Sequence, residues 1–136
     1  MLKGPASHPS VRTFSVIAGL LGLAVAGGVT LVAQHPRRDV SVTALKYTYR
    51  VAGADGPEIR VKQDDLVRIS VSVPGNDIPH SFTINDYRIN KRVEPGKTVS
   101  FDFRADRAGE FEIYCNLTLE DRCLKEMKGK LIVEGK

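Results

Sequence analysis

The sequence predicts an all-β sandwich domain that follows one N-terminal transmembrane helix. Phe14 to Ala33 is a run of 20 residues without a charged side chain, which is the length that a membrane-spanning helix needs. From Asp39 onward, apolar and polar residues alternate in short runs that end at turn residues, which is typical of strands. We therefore divide the chain into a tail (1–13), an anchor or signal segment (14–34) and a β domain (35–136).

The apolar segment has two interpretations. As a retained helix, rising about 1.5 Å per residue, it would cross the roughly 30 Å of bilayer hydrocarbon once. As a signal peptide, it would be removed near Ala24-Val25-Ala26, which fits a small-x-small cleavage site. Both interpretations export the β domain. We favour the retained helix, and therefore expect a single-pass protein of the cell membrane with an extracytoplasmic, periplasmic or cell-surface C-terminal domain.

Seven or eight short strands are expected in the β domain, with turn signals between them, and this number and spacing favour a sandwich. The span from Tyr87 to Val93 shows no clear repeat. The predicted strands are Val40 to Val51, Glu58 to Val61, Leu66 to Val73, Ser81 to Ile84, one through Val99, Phe101 and Phe103, one through Phe111, Ile113 and Cys115, and Lys130 to Val133.

Charge and motifs exclude several functions. The chain holds 20 basic and 16 acidic residues, and two basic ones, Lys3 and Arg12, precede the apolar segment. The β domain therefore has 18 basic and 16 acidic residues, a net charge of +2, and they are interleaved, which argues against a nucleic-acid partner. No nucleophile elbow, paired zinc histidines or phosphate loop is present, so we do not expect an enzyme.

Strand periodicity directs two reactive side chains inward. His80 shares a face with Phe82 and Ile84, and Cys115 shares a face with Ile113, because side chains two residues apart lie on the same side of a strand. We therefore expect the imidazole and the thiol at the edge of the core.

Four candidate metal ligands are indicated by residue type: His80, Cys115, Cys123 and Met127. Thiolate, thioether and imidazole are soft donors that suit copper, above all Cu(I), whereas cysteine and histidine without methionine would suit zinc equally well. His35 is a much weaker candidate, because it lies beside the apolar segment.

The β domain resembles the cupredoxins, the Greek-key sandwiches that hold copper at one end. The resemblance covers about residues 40 to 134, and four fragments carry it: Asp77-Ile78-Pro79-His80-Ser81-Phe82, Pro95-Gly96-Lys97-Thr98-Val99, Ala108-Gly109-Glu110-Phe111-Glu112-Ile113-Tyr114-Cys115 and Met127-Lys128-Gly129-Lys130-Leu131-Ile132-Val133. In that family a loop before the last strand supplies a cysteine, a histidine and an axial methionine. Cys115 and Met127 fall at two of those places. The step from His80 to Cys115 is similar to that of the dinuclear copper A domains of cytochrome c oxidase subunit II and nitrous oxide reductase.

The ligand loop departs from the family in its missing histidine. No histidine comes after His80; Cys123 stands where the copper A loop places its histidine, and Leu119 stands where that loop places its second cysteine. The resemblance therefore implies neither a standard blue site nor a copper A site. It implies one copper ion held by His80, Cys115, Cys123 and Met127, a set biased toward Cu(I).

Two functions remain open on the sequence alone. The first is a membrane-anchored copper protein for electron transfer or copper handling, whose partner is a redox or copper-handling membrane protein. The second is a metal-free module that docks to a membrane complex, in which Cys115 and Cys123 form a disulfide in the oxidising compartment.

Overall fold

The computed structural model describes residues 36–136, together with Gly4, Gly27 and Gly28. The predicted tail (1–13), the anchor or signal segment (14–34) and His35 lie, apart from these three glycines, outside the described residues. No helix in the described part is long and apolar enough to cross a membrane. The chain divides into two units, Met1–Val32 and Ala33–Lys136, and every element below belongs to the second.

Nine strands in two sheets form the described domain, which confirms the predicted all-β sandwich. One sheet has the order β2-β1-β4-β7 and the other β3-β9-β8-β5-β6; the pairs β1–β4 and β3–β9 are parallel and the rest antiparallel. The strands are β1 (Arg37–Leu45), β2 (Thr48–Val51), β3 (Glu58–Lys62), β4 (Leu66–Ser72), β5 (His80–Ile84), β6 (Ile89–Val93), β7 (Thr98–Arg104), β8 (Gly109–Tyr114) and β9 (Lys128–Glu134). A 3-10 turn spans Asn85–Tyr87, and a helix, α1, spans Asp121–Glu126.

Three elements differ from the sequence prediction. The single strand expected from Val40 to Val51 is a hairpin, because Tyr47 takes a left-handed backbone conformation with φ 66° and reverses the chain between β1 and β2. Strand β6 was not predicted, since only its ends, Ile89 and Val93, are buried. Helix α1 was not predicted either, because six residues are too few to show a helical period.

The core fills the space between the two sheets. Val67, Ile69 and Val71 alternate inward along β4 and are fully buried, as period-2 patterning requires. Burying one such side chain stabilises the fold by about 1.5–3 kcal/mol. The core continues to one end of the sandwich, where Cys123 and Met127 are also 0% exposed.

Strand register brings the candidate ligands to that end. β5 and β8 are antiparallel with Thr83 opposite Tyr114, so the start of β5 at His80 lies beside the end of β8. β9 begins there too, with Lys128 opposite Tyr114. The loop that joins β8 to β9 and contains α1 therefore covers the start of β5.

Candidate metal centre

Three of the four predicted ligands converge in the structure. The ligand atoms of His80, Cys115 and Cys123 all lie within 4.8 Å of one another, and the three residues are 0% exposed. The Cys123 Sγ atom is 3.6 Å from His80 Nδ1. Both cysteines are free thiols. Buried soft donors at this spacing can surround one metal ion.

Met127 is fully buried at the end of the loop, directly after α1. Its backbone carbonyl accepts a hydrogen bond of 3.3 Å from the Cys115 N–H. The backbone therefore ties Met127 to the residue that opens the loop, and the thioether is the fourth donor of the predicted set.

Asp77 fixes the orientation of the His80 ring. Its Oδ1 atom lies 3.1 Å from His80 Nε2 and accepts a 2.7 Å hydrogen bond from the Ile78 N–H, while Oδ2 accepts one of 3.0 Å from the Lys46 N–H. With Nε2 held by the carboxylate, Nδ1 faces the two sulfurs. This role was not predicted from the sequence; the signal was an acidic residue three positions before the histidine.

The two thiols are electrostatically unequal. Burial raises the pKa of Cys115, but hydrogen bonds from His80 and from the Ser81 and Leu117 amides outweigh burial and lower that pKa to about 6. Burial, and then repulsion by the Cys115 thiolate, raise the pKa of Cys123 to about 12. At neutral pH the site therefore holds one thiolate and one thiol.

The surroundings of His80 and Asp77 shift their pKa values in opposite directions. Burial lowers the pKa of His80, but hydrogen bonds to Cys115 and Asp77 outweigh it, so that this pKa is raised. Burial raises the pKa of Asp77, and hydrogen bonds from Ile78, His80 and Lys46 outweigh burial, so that it is lowered. Asp77 and Cys115 thus both favour the protonated form of the His80 ring that lies between them.

Ser81 joins the two strands that carry the ligands. Its hydroxyl donates to Asn116 Oδ1 at 2.7 Å and accepts from the Asn116 N–H at 2.8 Å, and its carbonyl accepts from the Tyr49 hydroxyl at 2.5 Å. The two bonds with Asn116 fix β5 against the residue directly after Cys115, and the bond from Tyr49 joins β5 to the other sheet. Such support keeps ligand atoms in place before a metal arrives.

The donor set fits Cu(I) better than the Cu(II) of a standard blue copper site. Two sulfurs and one imidazole nitrogen satisfy a soft ion such as Cu(I), and also Zn²⁺. The chain has three histidines, His8, His35 and His80, and only His80 belongs to the described residues. The described residues thus lack the second imidazole of a standard blue copper site.

Known proteins share this fold. The nitrous-oxide reductase of Cupriavidus necator is 31% identical over 93 residues, which are 67% of this chain and 14% of the reductase. The cryo-EM structure of a heme-copper terminal oxidase dimer matches with a TM-score of 0.64 at 20% identity, covering 76% of this chain and 68% of that chain. The periplasmic domain of subunit II of the Bradyrhizobium japonicum cytochrome oxidase matches with a TM-score of 0.62 at 16% identity, covering 76% and 89% of the two chains.

These matches bear on the domain rather than on whole proteins. The chain spans only about one-seventh of the reductase, so the similarity concerns one domain of that enzyme. At identities of 20% and 16%, the two solved structures show the fold alone. The family model that describes the cupredoxin-like domain matches residues 23–133, which is most of the sequence. This chain therefore belongs to the cupredoxin family.

Proposed function

We propose that this chain is a membrane-anchored, extracytoplasmic copper protein that binds one Cu(I) ion for copper handling or electron transfer. The ligands we propose are His80, Cys115, Cys123 and Met127. The observation that carries the proposal is the convergence of three fully buried soft donors within 4.8 Å of one another.

The donor chemistry favours the cuprous state. Two sulfur ligands with one imidazole suit Cu(I), whereas Cu(II) prefers more nitrogen. The Cys115 thiolate already supplies a negative charge at neutral pH, since its pKa is about 6. Zinc is the competing metal, and a thioether ligand from Met127 would favour copper over it.

The setting is the second part of the proposal. The uncharged run within residues 14–34 supports a retained anchor. Its short N-terminal tail favours export of the domain that follows to the extracytoplasmic side. The structural neighbours include subunit II of a cytochrome oxidase. This supports a membrane complex as the partner that exchanges copper or electrons with the domain, and we assign no enzyme activity to the chain itself.

Metal analysis of the full-length protein, purified under reducing conditions, tests the copper assignment. We expect one Cu(I) per chain in competition with a chromophoric chelator, and no intense blue band. Cys123→Ser and His80→Ala should each weaken binding by tenfold or more, about the effect of losing one metal ligand or its support. Met127→Leu, which conserves volume, tests the thioether. Two free thiols without copper uptake would contradict the proposal.

A metal-free module is the second candidate, and the short distance between the Cys115 and Cys123 sulfurs, within 4.8 Å, favours it. A Cys115–Cys123 disulfide would close a loop of nine residues, worth roughly 2.5 kcal/mol in the loop-entropy model. A thiol count on protein isolated without reductant separates the candidates. No free thiols, with no copper uptake after reduction, would favour the module.

A further inference from the structure

The turn between β1 and β2 contacts both segments that carry the ligands. The Lys46 N–H donates to Asp77, the residue that holds His80. The Tyr47 hydroxyl donates to the carboxylate of Glu120, which directly precedes α1. One two-residue turn therefore reaches the start of β5 and the start of the ligand-loop helix.

Arg122 also contacts Tyr47. Its guanidinium lies 3.8 Å from the centre of the Tyr47 ring, in cation–π geometry, and makes two hydrogen bonds of 2.8 Å to Glu126. We call Tyr47, Glu120 and Arg122 the tyrosine clasp. Cys123 is the next residue after Arg122, so the clasp lies beside a proposed ligand.

Few contacts other than the clasp stabilise helix α1 itself. Its six residues are too few for a stable isolated helix, and the side chain of Glu120 makes no capping hydrogen bond to the helix. Cys123 is its only buried residue, and the neighbouring Leu119 and Leu124 are 57% and 37% exposed. The buried Met127 holds the end of the helix, and because so little apolar surface of the helix itself is buried, contacts outside the core also contribute to its position.

We propose that Tyr47 and Arg122 are positioning residues that hold Cys123 in the site, and that opening of the clasp sets how fast Cys123 leaves it. This rests on the proposed function where it concerns copper: the sulfur of a competing thiolate replaces that of Cys123 on Cu(I), Cys123 takes up a proton, and no electron is transferred. The positioning of Cys123 also applies to the metal-free protein.

Thiol reactivity of the metal-free, full-length protein tests the clasp without any metal. Cys123 is 0% exposed, so a thiol reagent must wait for local opening, and its rate reports the open population. Arg122→Ala and Tyr47→Phe should each raise the rate at Cys123 about two- to fivefold, as the loss of an exposed cation–π contact or hydrogen bond would. Peptide mass mapping identifies the modified cysteine.

A second tyrosine–arginine pair provides matched controls. The Arg107 guanidinium lies 5.1 Å from the centre of the Tyr87 ring, and the Tyr87 hydroxyl donates to the Arg107 carbonyl. Arg107→Ala and Tyr87→Phe should leave the rate at Cys123 unchanged. Equal increases in the control variants, or no increase in the clasp variants, would overturn the proposal.

Copper release supplies the second measurement. Clasp variants should pass Cu(I) to a chelating thiol about two- to fivefold faster than wild type, with only a small fall in the urea midpoint, because the same contact is also lost on global unfolding. Wild-type protein that takes up no copper would overturn the exchange role together with the proposed function, while a faster reaction at Cys123 would still support the positioning role. Copper uptake with unaltered reactivity of Cys123 would overturn the clasp alone.

Discussion

Replacement of Asp77 by asparagine should weaken both the fold and the site. The carboxylate accepts three hydrogen bonds, from the Ile78 and Lys46 amides and from His80 Nε2, and its side chain is only 9% exposed. Asparagine has nearly the same shape but only one acceptor oxygen. Whichever way the amide turns, at least one N–H donor then faces an NH₂ group.

The expected loss can be worked out from those contacts. A hydrogen bond to a charged acceptor contributes about 1.5–3 kcal/mol, and a buried donor left unpaired costs about 1–3 kcal/mol. We therefore expect Asp77→Asn to lower the free energy of unfolding of the metal-free protein by about 2 kcal/mol. Supporting groups behind a metal ligand typically change affinity by about 10- to 100-fold, so Cu(I) affinity should fall within that range.

Urea unfolding and chelator competition measure the two effects. Asp102→Asn is the matched control, because Asp102 pairs with Arg68 on the outside of the other sheet, where its side chain is 43% exposed. We expect wild-type copper affinity for that variant. Wild-type stability and affinity in Asp77→Asn would refute the idea that the carboxylate orients His80.

Three further predictions concern burial, packing and protonation. His80→Ala should lower the free energy of unfolding by about 2 kcal/mol in urea, since a fully buried side chain leaves a cavity, and should reduce copper affinity much more than Asp102→Asn does. Gly129→Ala should cost about 1–3 kcal/mol, because the added Cβ would lie 2.7 Å from the Pro57 carbonyl oxygen; Gly135→Ala, whose nearest neighbour would be at 3.6 Å, should be neutral in the same assay. In metal-free protein the ultraviolet thiolate band of Cys115 should be present at pH 7 and disappear as the pH falls through about 6, since the folded-state pKa lies below the ordinary thiol value; a band that appears only near pH 9 would contradict the His80–Cys115 pairing.

The strands that could be predicted are those along which apolar and polar residues alternate without interruption. Along β4 every second residue is buried, and the sequence alternates accordingly. The hairpin between β1 and β2 could not be predicted, because Tyr47 keeps the alternation intact and a bulky residue rarely adopts positive φ. Its conformation depends on contacts with distant residues, which local patterning does not report.

In the site, too, some features could be predicted from local pattern and others could not. The alternation that makes β5 and β8 fit the core also directs His80 and Cys115 inward. Residue type supplied Cys123 and Met127 as candidates, and the family resemblance supported Met127. The Asp77–His80 contact is local but was not predicted, and other supporting contacts join residues 31 to 73 positions apart, as in the bonds from Lys46 to Asp77 and from Tyr47 to Glu120. Contacts of that kind depend on strand register and loop packing.

Protons occupy the site in the absence of a metal. No buried side-chain nitrogen or oxygen in the described part of the chain lacks a hydrogen-bond partner; in the site, the Asp77 carboxylate faces His80 Nε2, and the Cys123 sulfur lies 3.6 Å from His80 Nδ1. Such pairing offsets the cost of burying charge. A metal ion bound by the same sulfur and nitrogen atoms would displace the proton on Cys123, whose pKa is raised to about 12, since ligands bind in their deprotonated forms. Metal and proton would therefore compete for one donor set, and we expect the affinity for the proposed Cu(I) ion to rise with pH.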